Sequence, residues 1–323
     1  MNDLLLSIIM PTYNGAQYLP FALESIRDQN RDLMQKIEIL VVDDGSTDST
    51  IEILLDYSKD LPIKILRSHR EGNWVKGLNE GLKAAKGLFC CQLHQDDAWA
   101  PDRLQILFSE IQQHPNVEIF IHNANFIDCN GKKLGSWSCP FRGRSRVIQP
   151  DIFFRKLLVQ DFICINTPIF RTELISSIGL FDENFQQAAD WDYWLRLFGN
   201  YPSYFINQSL SFFRIHPQSQ TVQHSKNHVE YMKQLEKTLE RHSGKLDSNR
   251  IKDIRILKAA RFSNLVNACL GRALHQQSIK PIFLLLKEGI KLSPKTMVIY
   301  IWNSRIIERV GARIRARKTL GTT

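Results

Sequence analysis

The sequence predicts an α/β fold: a mostly parallel sheet with helices on both faces, followed by a helical, basic C-terminal extension. Three observations predict it. Short β-branched apolar runs alternate with segments of helical spacing from Leu4 to Phe126, and polar clusters directly follow three of those runs. From about Ser225 the composition turns to Lys, Arg, Gln and Leu at helical spacing.

Leu4 to Met10 and Ile37 to Val42 are runs of the kind buried on both faces of a sheet, and each predicts a strand. Between them, Leu19, Ala22, Leu23 and Ile26 mark a helix within Gln17 to Gln29. Ser49-Thr50-Ile51-Glu52 has the form of a capping box and predicts a helix to about Tyr57. Ile63 to Leu66 is a third strand, Val75, Leu78, Leu82 and Ala85 mark a third helix, and Leu88 to Leu93 is a fourth strand. Pro101 suits the first turn of the next helix, which carries Leu104, Leu107 and Ile111, and Glu118 to Phe126 is a further strand. A Gly/Ser/Arg-rich excursion reaches Arg146, and a domain boundary falls near residue 222, dividing the chain into 1–222 and 223–323.

Its 323 residues can bury a sizeable core, and 43% hydrophobic with 16 Gly and 12 Pro excludes fibrous and low-complexity classes. No apolar run approaches the roughly 18 residues that cross a bilayer, and Met-Asn-Asp-Leu-Leu-Leu lacks the pattern of a signal peptide. The expectation is a cytoplasmic protein with reduced thiols, since the six cysteines form no C-x-x-C pair. Net charge +9 favours an anionic partner, but the cations are not interleaved with aromatics in a nucleic-acid module, so no nucleic acid is expected and DNA or RNA binding is the weakest rival.

Pro11-Thr12-Tyr13-Asn14-Gly15, Asp43-Asp44-Gly45-Ser46 and His94-Gln95-Asp96-Asp97 each follow a predicted strand. In a parallel sheet they emerge at one edge, beyond the carboxyl ends of the strands, where ligands bind. An aromatic ring, a carboxylate for a base or ribose and a paired carboxylate for a metal then share one cleft, as a nucleotide diphosphate complex requires. Asp-Gly-Ser alone is also an ordinary turn.

Together with SIIMPTYNG, VVDDGSTDST, GLNEGLKAAKG, QDDAWAPDRL, TPIFRTELISSIGLFDENF, ADWDYWLRL and FRIHPQS, these clusters resemble the family 2 glycosyltransferases of the GT-A fold, over about Leu6 to Pro217. The resemblance implies inverting transfer of a sugar from a nucleotide-sugar donor to a glycan or lipid-linked acceptor, usually with Mg²⁺ or Mn²⁺, in synthesis of a surface polysaccharide or glycolipid. By position, it implies that Pro11, Tyr13, Asp43 and Asp44 hold the nucleotide, with Tyr13 stacked on the base and Asp44 accepting its hydrogen bonds. It further implies that Asp96 and Asp97 bind metal, Asp96 also meeting the nucleotide, and that Asp190 is the catalytic base. His216, in Arg214-Ile215-His216, reads either as a metal or diphosphate partner or as a loop histidine; Lys76 and Arg70 read either as phosphate contacts at a helix start or as surface charge. Trp191 and Trp194 suit an acceptor floor or a core, and Asp192 a solvated position.

This chain has His94 where the family often places the first Asp of its metal motif, and Ala189 where Glu commonly precedes the base. Those two departures motivate the alternative of a catalytically silent nucleotide-sugar-binding or scaffold protein. Nucleotidyl transfer, the other enzyme reading, lacks an N-terminal Gly-rich phosphate loop. At the C-terminus, Lys258 to Lys318 predicts a few helices. Val298, Trp302, Ile306, Val310 and Ile314 form one ridge beside Arg305, Arg309, Arg313 and Arg317, with Lys318 beyond, and Gly311 weakens the helix. This basic end suits either peripheral attachment to an anionic membrane at its inner face or a packing helix with a solvated end.

Overall fold

A computed structural model of the chain describes residues 4–141, 143–219, 228–276 and 280–320. The elements up to residue 214 are β1 (Leu6–Thr12), α1 (Leu19–Arg27), α2 (Arg31–Met34), β2 (Ile37–Asp43), α3 (Thr50–Tyr57), β3 (Ile63–Arg67), α4 (Trp74–Ala84), β4 (Phe89–Gln92), β5 (Ala98–Trp99), α5 (Arg103–Gln113), β6 (Ile119–Ile127), β7 (Lys133–Trp137), β8 (Arg146–Ile148), α6 (Pro150–Val159), β9 (Ile169–Arg171), α7 (Leu174–Ile178), α8 (Ala189–Phe198) and β10 (Ser203–Arg214). Five helices follow: α9 (His228–Ser243), α10 (Ile251–Gln276), α11 (Lys280–Ile290), α12 (Pro294–Ser304) and α13 (Ile306–Leu320).

One sheet carries the molecule, in the order β3-β2-β1-β4-β9-β6-β10-β5, with β7 on β6 and β8 on β10. The predicted alternation gives the parallel run β3-β2-β1-β4. Beyond it the sheet is mixed: β9 lies antiparallel between β4 and β6, while β6 and β10 are parallel. Period-two side-chain alternation divides the core between the two faces. Leu6, Ile8 and Met10 of β1 pack with α1, α3 and α5, whereas Ile9 packs with α4, α6, α8 and the C-terminal helices.

The predicted capping box does not form. Ser49 makes no side-chain cap bond; instead Asp48 Oδ1 accepts from Thr50 N at 3.0 Å, because the Asp48 carboxylate is the stronger acceptor and sits one residue earlier in the turn. The ridge read along Val298 to Ile314 is also interrupted. Arg305 adopts φ 50, a left-handed conformation that ends α12 and restarts the chain as α13.

The residue-222 boundary falls among residues outside those described. On either side of it the chain shares one core: Leu239 of α9 and Ala259 and Phe262 of α10 belong to the same apolar cluster as Phe153 and Leu157 of α6 and Trp194 of α8. In α13, Ala312 and Ala316 are buried against Phe126 and Leu134, which docks the helix on β6 and β7. The basic end is therefore not a simple solvated stripe. Arg305 pairs with Glu308, and Arg315 donates to Leu134 O. Arg309 and Arg313 line a cleft, while the side chains of Arg317 and Lys318 lie outside those described. Among the described residues no helix is long and apolar enough to cross a membrane.

Candidate active site

The loops after β1, β2 and β4 meet at one sheet edge and are tied together by backbone donors. Tyr13 N donates to Gln95 Oε1 at 2.9 Å and Gln95 Nε2 donates back to Tyr13 O at 3.0 Å. Asn14 N donates to Ser46 Oγ at 2.9 Å, and Asn14 Oδ1 accepts from Thr47 N at 2.8 Å. A Cβ on Gly15 would fall 2.4 Å from Gln95 Oε1, so any larger residue there would push the Gln95 side chain off its bonds to Tyr13. Their walls, with α8 and three C-terminal helices, enclose a cavity of about 1050 Å³.

Pro11, Tyr13, Asp44, Asp96, Asp190, Trp191 and His216 all line it. The half-exposed Tyr13 ring has the Arg70 guanidinium carbon 3.6 Å from its centroid. Arg70 also pairs with Asp44, whose carboxylate accepts from Glu71 N at 2.6 Å and Gly72 N at 3.0 Å. Asp43 does not reach the cavity: it is fully buried and accepts from Ser46 N at 3.1 Å, holding the turn that presents Asp44. Lys76 also falls outside the lining and pairs with Glu71 at 2.6 Å on the surface.

Asp96 and Asp97 point in different directions. Asp96 Oδ2 lies 2.9 Å from His216 Nε2 at the cavity wall. Burial works against its charge, but His216 and the nearby His94 hold its carboxyl below the usual carboxylate range. Asp97, expected as a metal ligand on the cleft surface, is 1% exposed and absent from the lining. It accepts from Arg214 N at 2.9 Å and Asn166 Nδ2 at 3.2 Å, and burial, reinforced by the Asp96 charge, pushes its carboxyl well up. The register of the β4–β5 turn allows only one of two successive carboxylates to face the cavity, and it is Asp96. Arg214 completes the arrangement from within. Its guanidinium donates to Asp96 O at 2.8 Å and Asp128 O at 2.9 Å, so the chain leaves β10 with His216 held beside Asp96.

The donor set of Asp96 and His216 is compatible with a divalent cation that takes its remaining ligands from phosphate oxygens and water. Among the described residues His216 Nδ1 is buried without a partner, and Nε2 faces the carboxylate. Imidazole suits Mn²⁺ better than Mg²⁺. Among the described residues no group of three or more His, Cys, Asp or Glu forms a closed site, so these two would be the protein's share.

Across the cavity, Asp190 stands in the first turn of α8 and accepts from Trp191 N at 2.8 Å. Burial pushes its carboxyl up to about 6, with the Trp191 N–H working the other way. Asp161, which sequence reasoning missed, lines the same wall; burial, then the Asp190 charge, pushes its carboxyl well above the usual range. No motif flags Asp161, because its role comes only from the fold that brings the end of α6 to the start of α8. Trp191 closes the cavity floor and donates to Leu157 O at 2.8 Å, while Trp194 is wholly in the core. Asp192, expected in solvent, is fully buried. It is bound by Arg196 Nε at 3.1 Å, Arg241 Nη1 at 3.0 Å and His242 Nε2 at 2.9 Å, fastening α8 to α9.

Residues 7–178 match the family model described as "Glycosyl transferase family 2". An uncharacterized glycosyltransferase of Rickettsia prowazekii is 30% identical over 233 residues, 72% of this chain and 70% of that protein. Among solved structures, S. aureus TarS 1-349 superposes with a TM-score of 0.62 at 18% identity, covering 99% of this chain and 92% of that one; it is also known in complex with UDP-GlcNAc. The mannosyltransferase PcManGT of Pyrobaculum calidifontis, in complex with GDP-Man and Mn²⁺, superposes at 0.54 with 18% identity, covering 96% of this chain and 86% of that one. The shared architecture is the GT-A fold.

Proposed function

Because the chain belongs to glycosyl transferase family 2, we propose that it moves a sugar, with inversion, from a nucleoside diphosphate sugar to an acceptor hydroxyl in the synthesis of a polysaccharide or glycolipid. One observation carries this reading: Tyr13, Asp44 and Asp96 on one side, and Asp190 on the other, line a single cavity.

In this reading Tyr13 stacks on the nucleobase and Asp44 accepts its hydrogen bonds, with Asp43 rigidifying the turn beneath. Asp96 and His216 would hold Mg²⁺ or Mn²⁺, which when bound supplies charge neutralisation for the diphosphate. Asp190 takes the proton of the acceptor hydroxyl as that oxygen forms its bond to the anomeric carbon and the bond to the nucleoside diphosphate breaks. Attack from the face opposite the leaving group, with one base and no covalent intermediate, inverts the anomeric centre; the geometry parallels inverting hydrolysis with an acceptor hydroxyl in place of water. Ala189 is buried, so no second acid shares the work from that position.

A peripheral position at the membrane is a further part of the proposal. It is supported by the exposed Phe283, Leu286 and Ile290 of α11, Val298 of α12 and Ile307 of α13. Release of sugar from a panel of nucleotide sugars, with and without divalent metal, tests the central reading. Metal-dependent turnover of at least one donor is expected, and nucleotide-sugar binding without any transfer or hydrolysis would favour the silent alternative.

A further inference from the structure

The cavity continues past Asp190 beneath the C-terminal helices, where its lining changes character. Arg309 and Arg313 lie one turn apart on α13 with Ala316 on the same face, and all three line it. Tyr231 of α9 and Asn264 of α10 join them. Asn264 is 4% exposed, and its Nδ2 has no acceptor among the described residues; Arg309 Nη1 is likewise buried without one. Neither arginine forms an ion pair with a carboxylate among the described residues, although Asp161 and Asp190 line the same cavity. Burial and the neighbouring Arg309 push the Arg313 guanidinium down to about 10. Arg309 Nη2 reaches Asn267 Oδ1 at 3.5 Å and its charge acts on Asp161. Even so, two adjacent guanidiniums and a buried amide donor turned into this end of the cavity, with no carboxylate in ion-pair contact among the described residues, leave an excess of donors that an anion would satisfy.

We propose that this end of the cavity is the acceptor subsite and that Arg309 and Arg313, with Asn264, bind an oxyanion, phosphate or carboxylate, carried by the acceptor. The proposal rests on the glycosyl-transfer reading, since Asp190 must then face the acceptor's hydroxyl. Guanidinium forks match both oxyanions through paired N–H donors, and a charge anchored there sets which hydroxyl lies at the base. Asp161 faces the same space, and burial, then the Asp190 charge, push its carboxyl up, which disfavours a second negative charge beside the anion.

The test uses the full chain with its donor half filled by UDP or GDP, whichever it binds. Glucose 1-phosphate, glucuronic acid and methyl glucoside are then titrated by calorimetry into the wild type, the Arg309→Gln/Arg313→Gln double variant and the Arg309→Lys/Arg313→Lys double variant. The wild type should bind at least one anionic sugar about tenfold or more tightly than the neutral one, and the Gln pair should lose most of that preference while the Lys pair keeps part of it. Preference for glucose 1-phosphate or for glucuronic acid identifies phosphate or carboxylate as the anion, and either result supports the site. Equal binding of anionic and neutral sugars overturns the proposal. So does an undiminished preference in the Gln pair with only a shifted pH profile, which would make the arginines countercharges to Asp161 and Asp190. A chain that binds neither nucleotide overturns the donor reading and this proposal with it, whereas failure confined to the sugars overturns this proposal alone. If the Gln pair loses its native circular dichroism, the decision passes to the Lys pair: partial retention of the preference supports the site and full retention overturns it.

Discussion

The pH dependence of transfer is the most direct probe of Asp190. Its carboxyl is pushed up to about 6 by burial, so the base is protonated, and inactive, at pH values where an ordinary carboxylate still works. With a midpoint near 6 the ionised fraction is about nine-tenths at pH 7 and about one-tenth at pH 5, a roughly tenfold fall in kcat, whereas a carboxylate titrating near 4 would lose only about a tenth over that range. The assay is initial rate at saturating donor and acceptor from pH 5 to pH 8, with nucleotide affinity measured by calorimetry over the same range to separate binding from chemistry. Asp190→Asn should retain nucleotide binding and lose roughly two to four orders of magnitude in kcat at every pH, with the acid limb gone. Asp161→Asn should retain an acid limb, because the burial that raises the Asp190 carboxyl does not depend on Asp161 carrying a charge. A rate that stays flat from pH 7 to pH 5, or an Asp190→Asn enzyme within a few-fold of wild type, would refute the assignment of the base.

Other outcomes follow from the same geometry. Asp96→Asn and His216→Gln should each weaken metal-dependent binding of the nucleoside diphosphate by more than about tenfold, read by calorimetry with and without Mn²⁺, while Asp43 still holds its turn. Asp97→Ala should act on stability first. It orphans Arg214 N, at about 1–3 kcal/mol, while Asn166 Nδ2 loses one of two acceptors and keeps Phe212 O at 3.3 Å, so the urea midpoint should fall by the equivalent of roughly 1–3 kcal/mol. Tyr13→Ala should weaken nucleotide binding by roughly 0.5–1.5 kcal/mol, the worth of a stacked aromatic pair, and unchanged affinity would place the base elsewhere.

Much of the first half of this architecture was legible because its signals are local. The apolar runs of β1 and β2 are buried on both faces and therefore had no competing helical reading, and their following loops carry the polar residues that meet at the sheet edge. The antiparallel β9 was not legible: Ile169–Arg171 is three residues long, and its position between β4 and β6 is decided by long-range pairing alone. The Asp96-Asp97 pair shows the limit of a motif. Two adjacent carboxylates look equivalent in sequence, yet the turn sends one to the cavity and gives the other to the backbone of Arg214. Asp192 was misread for a related reason. A charged residue on a helix reads as solvent-facing until its partners are known, and Arg241 and His242 come from a helix about fifty residues further along.

The same long-range logic bears on how the base is tuned. Helix α8 alone would expose Asp190 at its N-terminus, where the unsatisfied N–H groups of the first turn favour a charged carboxylate and would lower its pKa. Burial pushes it the opposite way, so desolvation wins, and part of that desolvation comes from residues beyond 228: Tyr231, Leu235, Asn264, Arg309 and Arg313 line the cavity that Asp190 faces. Asp192, two residues from the base, is fixed to α9 by Arg241 and His242, so the orientation of Asp190 and its exclusion from water depend on the same helix. The C-terminal helices thus contribute chemistry to the site as well as a wall. An Asp192→Ala enzyme, in which His242 Nε2 loses its carboxylate while Arg196 keeps Ile178 O and Leu180 O and Arg241 keeps Asp182, should be destabilised and, where still folded, should show the Asp190 acid limb moving down from about 6 as water reaches the carboxylate.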